Sequence, residues 1–390
     1  MTNTATEAGA APAQSSGGLP RIGAAALVVG HCAGLIDLVA LPVWVGALVA
    51  RFGFSPKEGG ALVTLFLLGA VLASVLTARA FTRLPRKTLT VAGYAVAMVC
   101  FLLASQQTAF APLAALHLVG GLANGMALSL VHGSMGRAAN PHRLFAIAGA
   151  GLGLTGVIFM GAVPTLLEAQ GGHVIFLAFG VIMGVATLAS LLAFPRLPDV
   201  VRSERSAPRV ALASGVLAVV AGVSLMTFNQ TMVFSFVEVI AHARDYAPQA
   251  IVATLIVMGI VNFVGPAPLA ALLEKRLPAR GVVLTGPALQ AVLAMTLTFA
   301  TAFAVWAPVA TIYVGVQIFT HTFAFGLLAR MDPTGRAVAA TPAMLMTGSA
   351  FGPIVGGLLL ETFSIHALGL MAVLIAALAI TAFARGTRHA

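Results

Sequence analysis

Charge is what this 390-residue chain has least of. Asp, Glu, Lys and Arg together make 8% of it, against about 25% in an ordinary soluble domain. Hydrophobic residues make up 59%, more than a water-facing surface tolerates. The two cysteines, Cys32 and Cys100, both lie in long apolar runs, which argues against a disulfide framework. No G-x-x-x-x-G-K-[ST] phosphate loop occurs, so ATP is excluded as a direct energy source. No H-E-x-x-H motif or paired nucleophile and base occurs either, so enzymatic chemistry is not expected. The histidines show no i, i+4 pairing, and no metal site or cofactor is expected. Finally, no Lys or Arg lies in the interior of an apolar run. A dehydrated anion needs a cationic partner, so phosphate esters and dicarboxylates are poor candidate solutes.

What the chain does have is twelve long apolar runs, near residues 22–49, 59–80, 88–106, 110–136, 143–167, 173–194, 210–240, 249–272, 281–303, 305–329, 336–360 and 364–384. Each is long enough to cross a bilayer core of roughly 30 Å as a helix. The second six repeat the first six. Arg83-Leu84-Pro85 returns as Arg276-Leu277-Pro278, and the pair Arg137 and Arg143 returns as Arg330 and Arg336. Phe54-Ser55-Pro56 returns, one residue out of step, as Tyr246-Ala247-Pro248. The expected architecture is therefore all-α, with twelve transmembrane helices in two pseudo-symmetric six-helix bundles. Residues 1–20 read as a disordered cytoplasmic tail, lacking the pattern of a cleavable signal peptide. Residues 21–195 form the first bundle, 196–209 a polar cytoplasmic linker, and 210–390 the second bundle with a short tail. Paired six-span halves are a transporter signature.

The net charge of +10 is distributed by topology rather than as a nucleic-acid footprint. With the N-terminus inside, every Lys and Arg except Arg51, Lys57 and Arg244 falls on a cytoplasmic segment. That is the positive-inside pattern, and it places both termini in the cytoplasm. Arginine far outnumbers lysine and alanine is abundant, which points to a GC-rich bacterial genome and an inner membrane.

Twelve spans, repeated halves and a central linker resemble the major facilitator superfamily over essentially the whole chain after residue 21. The family's loop motif G-x-x-x-D-R-x-G-R-K is degraded here to the stretch Ala78 to Lys87. Arg83, Arg86 and Lys87 match it, and Thr82 stands in place of the Asp. The fourth-span motif R-x-x-x-G-x-x-x-G reads His117, Gly121, Gly125. Gly348-x-x-x-Gly352-Pro353-x-x-Gly356-Gly357 in the eleventh span is similar to an exporter-branch motif that belongs to the fifth. The resemblance implies alternating access, with Arg83, Arg86, Lys87, Arg137, Arg330 and Arg336 at a gate and Gly352-Pro353 as a flexion point.

Ionisable groups inside a bilayer are costly and normally face a cavity or a partner. Six stand out: His31, Asp37, His117, His132, Glu238 and His321. They occupy spans 1, 4, 7 and 10, as if the first helix of each three-helix unit lined water and the third faced lipid. Asp37, halfway along the first span, is the expected proton-coupling residue, with Glu238 a gate or secondary proton site. Helical spacing groups Tyr313, Gln317 and His321 on one stripe and Gln230 and Glu238 on another. By the repeat, Asp37 corresponds to Asn229, and the two are expected to face each other across the midplane. His132, Asn124, Asn229, Gln230, Tyr313, Gln317 and His321 form the expected substrate site. A proton-coupled monomeric transporter follows, exporting a small neutral or cationic lipophilic compound. Symport uptake of a neutral nutrient or weak acid is the alternative, and transition-metal transport a remote one.

Overall fold

The computed structural model describes residues 20–138, 140–195, 213–332, 337 and 341–388. The linker 196–209, Arg336 and all of the tail but Pro20 lie outside the described residues.

Among the described residues, twelve helices are long and apolar enough to cross a membrane. In chain order the elements are α1 (Arg21–Val39), α2 (Leu41–Ala50), α3 (Pro56–Ala80), α4 (Arg86–Ala104), α5 (Phe110–Met135), α6 (Pro141–Gln170) and α7 (Val174–Ala193) in the first half. The second half holds α8 (Ser214–Phe234), α9 (Val237–His242), α10 (Pro248–Val264), α11 (Pro266–Leu273), α12 (Ala279–Phe299), α13 (Phe303–Met331), α14 (Thr341–Thr362) and α15 (Ile365–Gly386).

Local chemistry explains the boundaries. Ser55 caps α3 in a reciprocal box with Glu58, and Pro56 opens the helix, as expected of a missing N–H in the first turn. Gly171, at φ +98°, ends α6 in a backbone region that L side chains rarely adopt. Among the described residues, three spans are interrupted. The first breaks at Ala40 because Pro42 has no N–H for the Leu38 carbonyl. The seventh breaks at Ser235–Phe236, at nearly the corresponding place of the repeat, where the Ser235 hydroxyl donates to the Thr231 carbonyl at 2.6 Å. The eighth breaks at Gly265-Pro266. Discontinuous helices at corresponding places in two repeats mark the working region of a transporter.

The core of the first half is aromatic. Trp44 lies 5.5 Å from the His117 ring in a stacked pair and packs edge-on to Phe66 and Phe179. Glycines let the backbones close on one another, as small residues do in lipid. A side chain on Gly121 or Gly125 would strike the α3 backbone at Phe66 and Ala70. The second half repeats the device with Gly348, Gly352 and Gly356 of α14 against α8. The outer surface is apolar. Leu192 on α7, Leu289 and Val292 on α12 and Leu374 on α15 are exposed, but so are Ile158 on α6 and Leu272 on α11. Lipid-facing surface therefore extends beyond the third helix of each unit.

The halves meet through α3 with α14, α6 with α10, and α2 with α9. The contacts of α2 with α9 and of the α3 N-terminus with the α14 C-terminus lie on the face away from the chain termini, here called the far face. At the terminal face α5 and α13 make at most a marginal contact among the described residues.

Candidate functional site

Asp37 sits in the last turn of α1, just before the break. It is 2% exposed. Its Oδ1 accepts the Leu38 N–H at 2.9 Å, while Oδ2 is buried and makes no hydrogen bond. The carboxyl group is thus held at a helix discontinuity with an acceptor position unused. Asn124 ties α5 to α1, donating to the Gly34 carbonyl at 3.1 Å.

The expected opposite number of Asp37 is differently employed. The Asn229 amide donates to the Ala372 carbonyl of α15 at 3.2 Å and is fully buried, so it points into its own half and not across the midplane. It belongs to a polar network in which the Tyr313 hydroxyl donates to the Asn229 carbonyl at 3.2 Å. Gln317 donates to the Thr227 hydroxyl at 2.9 Å, and the Gln290 amide donates to the Gln317 side-chain Oε1 at 3.4 Å. Tyr313 and Gln317 are therefore engaged within the second half. Gln290, on α12, is a member that the stripe reading missed, because a lone glutamine in an apolar run carries no periodic signal. Adjacent helical residues point about 100° apart. Gln230, next to Asn229, accordingly stays half-buried with no side-chain partner among the described residues.

The histidines separate into three environments. His117 is sealed in the aromatic core, bonded to its own-helix Leu113 carbonyl at 2.7 Å. His321 is half-buried, stacked on Phe325 with centroids 4.9 Å apart, and its Nδ1 lacks a partner. His31 and His132 meet, Nδ1 to Nε2, at 2.9 Å.

Glu238 stands between the halves. Its carboxyl group packs on Gly46 of α2, where an added Cβ would lie 2.8 Å from the carboxyl carbon. Its Oε1 is 3.7 Å from His242 Nε2, and Oε2 is buried without a hydrogen bond. Both groups line an inter-half cavity of about 250 Å³ with Arg51, Glu168, Pro164 and Leu255. Next to it runs a seam the sequence did not reveal. The Ser55 hydroxyl donates to Glu361 at 2.7 Å, and Lys57 lies 3.7 Å from the same carboxylate. The Ile354 N–H donates to the Thr64 hydroxyl at 3.2 Å. Gly60 faces the Pro353 carbonyl and Gly357 the Pro56 carbonyl at backbone contact. Gly352-Pro353 is thus a packing site in this state. Pro353 cannot use the Ser349 carbonyl, which lies 3.3 Å from the Thr231 hydroxyl, a donor it shares with the nearer Thr227 carbonyl at 3.0 Å.

Arg244, an exception to the positive-inside pattern, donates to the Leu297 and Thr298 carbonyls at 3.0 and 2.6 Å. A guanidinium at a helix C-terminus satisfies carbonyls that the helix leaves open. On the terminal face, Arg83 and Lys87 flank the α3–α4 turn, and Arg86 sits 5.6 Å above the Phe81 ring. That ring also packs on Gly133 of α5, anchoring the loop by an aromatic contact. Arg137 follows α5 and Arg330 lies in the last turn of α13.

Two repeated bundles of six spans, with interrupted first helices and a seam between the halves, define a secondary-transporter fold. Solved structures share it. A nucleoside transporter, NupG, superposes with a TM-score of 0.72 at 14% identity, over 94% of this chain and 99% of that one. A D-xylose-proton symporter superposes with 0.71 at 14% identity, over 94% and 96%. The sequence profile of the Major Facilitator Superfamily matches residues 26–341, and the chain belongs to that family. It is a multi-pass membrane transporter rather than an enzyme. No curated protein sequence is similar enough to match it.

Proposed function

We propose that this protein is a proton-coupled secondary transporter of the bacterial inner membrane, exporting a small neutral or cationic, partly lipophilic organic solute by alternating access. Both termini are cytoplasmic in this reading, so the far face is the outer face, and the chain works as a monomer with protons and a small-molecule substrate as its partners. The observation that carries the proposal is Glu238, a carboxylate wedged between the halves with one oxygen lacking any hydrogen bond. Such an oxygen can hold a proton or a cationic donor, but not both, and that competition is the elementary requirement of exchange. Asp37, with its own free oxygen beside the α1–α2 break, is the coupling residue. Gln230, His132 and His321, the half-buried polar groups on α8, α5 and α13, contact the solute, and Asn124, Asn229, Tyr313 and Gln317 hold the helices that present it. Arg83, Arg86, Lys87, Arg137, Arg330 and Arg336 serve the cytoplasmic gate.

The test is proton movement in proteoliposomes loaded with a pH-sensitive dye and challenged with amines, sugars and nucleosides. Proton flux opposite to an amine supports export. Proton flux in the same direction as a sugar or nucleoside selects uptake by symport. If no solute moves protons, the coupling assignment is lost.

A further inference from the structure

The contact between His31 of α1 and His132 of α5 has a consequence that neither histidine would have alone. Nδ1 of His31 and Nε2 of His132 are 2.9 Å apart, a separation that requires one hydrogen between them. Each ring then has one further nitrogen, His31 Nε2 and His132 Nδ1. Neither is among the buried polar atoms left without a partner, unlike Nε2 of His117 and Nδ1 of His321. Among the described residues neither has another hydrogen-bond partner, so each outward nitrogen keeps a narrow accessible edge, with His31 itself buried and His132 half-buried. Phe145 of α6 stands edge-on to both rings, at centroid distances of 6.4 and 5.6 Å, and fixes their attitude.

We propose that His31 and His132 together form a site for one proton. Adding a proton at an outward nitrogen gives an imidazolium whose N–H donates to the neutral partner, a charge-assisted bond at the same distance. A second proton would leave two N–H groups facing each other and break the contact. The pair therefore takes one proton as a unit and refuses the next while its geometry lasts. Among the described residues no acidic or basic side chain is paired with either ring apart from the two histidines themselves. Cys32 points its thiol at the Ala148 carbonyl of α6, 3.8 Å away, and Tyr94 of α4 commits its hydroxyl to the Gly30 carbonyl at 2.7 Å. Asp37 lies six residues along α1 and His117 four turns along α5. Arg143 precedes Phe145 on α6, Glu58 and Arg79 mark the ends of α3, and α7 contains no titratable side chain. Because the bond links the interrupted first helix to α5, loading the proton strengthens the hold of α5 on α1.

The experiment uses the full chain in lipid nanodiscs. Protons taken up between about pH 8 and pH 5, a range that brackets free imidazole, are counted for the parent, His31→Gln, His132→Gln and the double variant. The parent and each single variant are expected to take up the same number, and the double variant one fewer. An additive series, with the parent one above each single variant and two above the double, overturns the proposal. A double variant equal to the parent overturns it as well. Nitrogen-15 spectra of labelled histidine provide the second readout. Scalar coupling across the hydrogen bond is expected in the parent and absent from each single variant, and a parent without it refutes the shared proton even if one variant fails to fold. Proton counting needs no transported solute, so its outcome is separate from that of the transport assay.

Discussion

Closure of the far face depends on Gly60 having no side chain, and Gly60→Val tests the seam directly. A Cβ at this position would lie 2.7 Å from the carbonyl carbon of Pro353, and closer still to its oxygen, whereas ordinary contacts begin near 3.4 Å. The obstacle is backbone, so no rotamer change relieves it, and α3 must part from α14 by about 1 Å, more for the branched methyls. Overpacking of this kind costs about 1–3 kcal/mol, which moves the balance from closed to open roughly 5- to 150-fold. The displacement also pulls Ser55 from Glu361 and Thr64 from the Ile354 N–H, bonds that lie along the same seam. Spin labels on Thr108→Cys and Thr301→Cys, in connections of opposite halves and with Cys32 and Cys100 replaced by Ala, report the opening by double electron–electron resonance. The distance distribution is expected to shift outward in Gly60→Val. Gly149→Val is the control, since a Cβ there meets nothing within 4 Å, and it should leave the distribution in place. An unmoved distribution in Gly60→Val, with the protein folded, would refute the claim that backbone contact at the seam holds the far face shut.

Asp37→Asn is expected to abolish gradient-driven accumulation in proteoliposomes while expression and detergent elution stay parental; full accumulation removes Asp37 from coupling. Gly46→Ala should push the Glu238 carboxyl group out of its seat and reduce transport rate with little loss of thermal stability, whereas an unchanged rate would make that fit incidental. Trp44→Ala empties the centre of the first-half aromatic core, where Trp44 is fully buried, and should lower stability by about 3–5 kcal/mol, read as an earlier thermal transition in detergent. Gln317→Leu removes one hydrogen bond each from the Thr227 hydroxyl and the Gln290 amide, which keep the Val223 and Met226 carbonyls, at a cost of about 0.5–1.5 kcal/mol per bond; equal melting temperatures would show that the network is not structural.

The span count and the two-half repeat were legible because they rest on composition and period, which need no partner. Every expected span has its helix, with ends displaced by a few residues where a cap or proline decides. The interruptions of the first, seventh and eighth spans were not legible as breaks. Hydropathy runs straight through Pro42, Ser235 and Pro266, and only backbone hydrogen bonding registers the gap. The sorting of ionisable residues onto four helices was visible, but their directions were not. Asn229 occupies the repeat position of Asp37, yet the Ala372 carbonyl on a distant helix turns it inward.

The sequence alone therefore settled the membrane setting, the helix count, the duplicated plan and the family, since all of these follow from how much apolar surface each segment carries and how often the pattern recurs. Only the tertiary structure decided which polar groups meet: His31 with His132, Glu238 with Gly46, Ser55 with Glu361. The reason is physical. In a chain whose helices are apolar on nearly every side, rotation about each helix axis is fixed by close backbone contacts at glycines and by single hydrogen bonds between remote spans, and neither leaves a periodic trace.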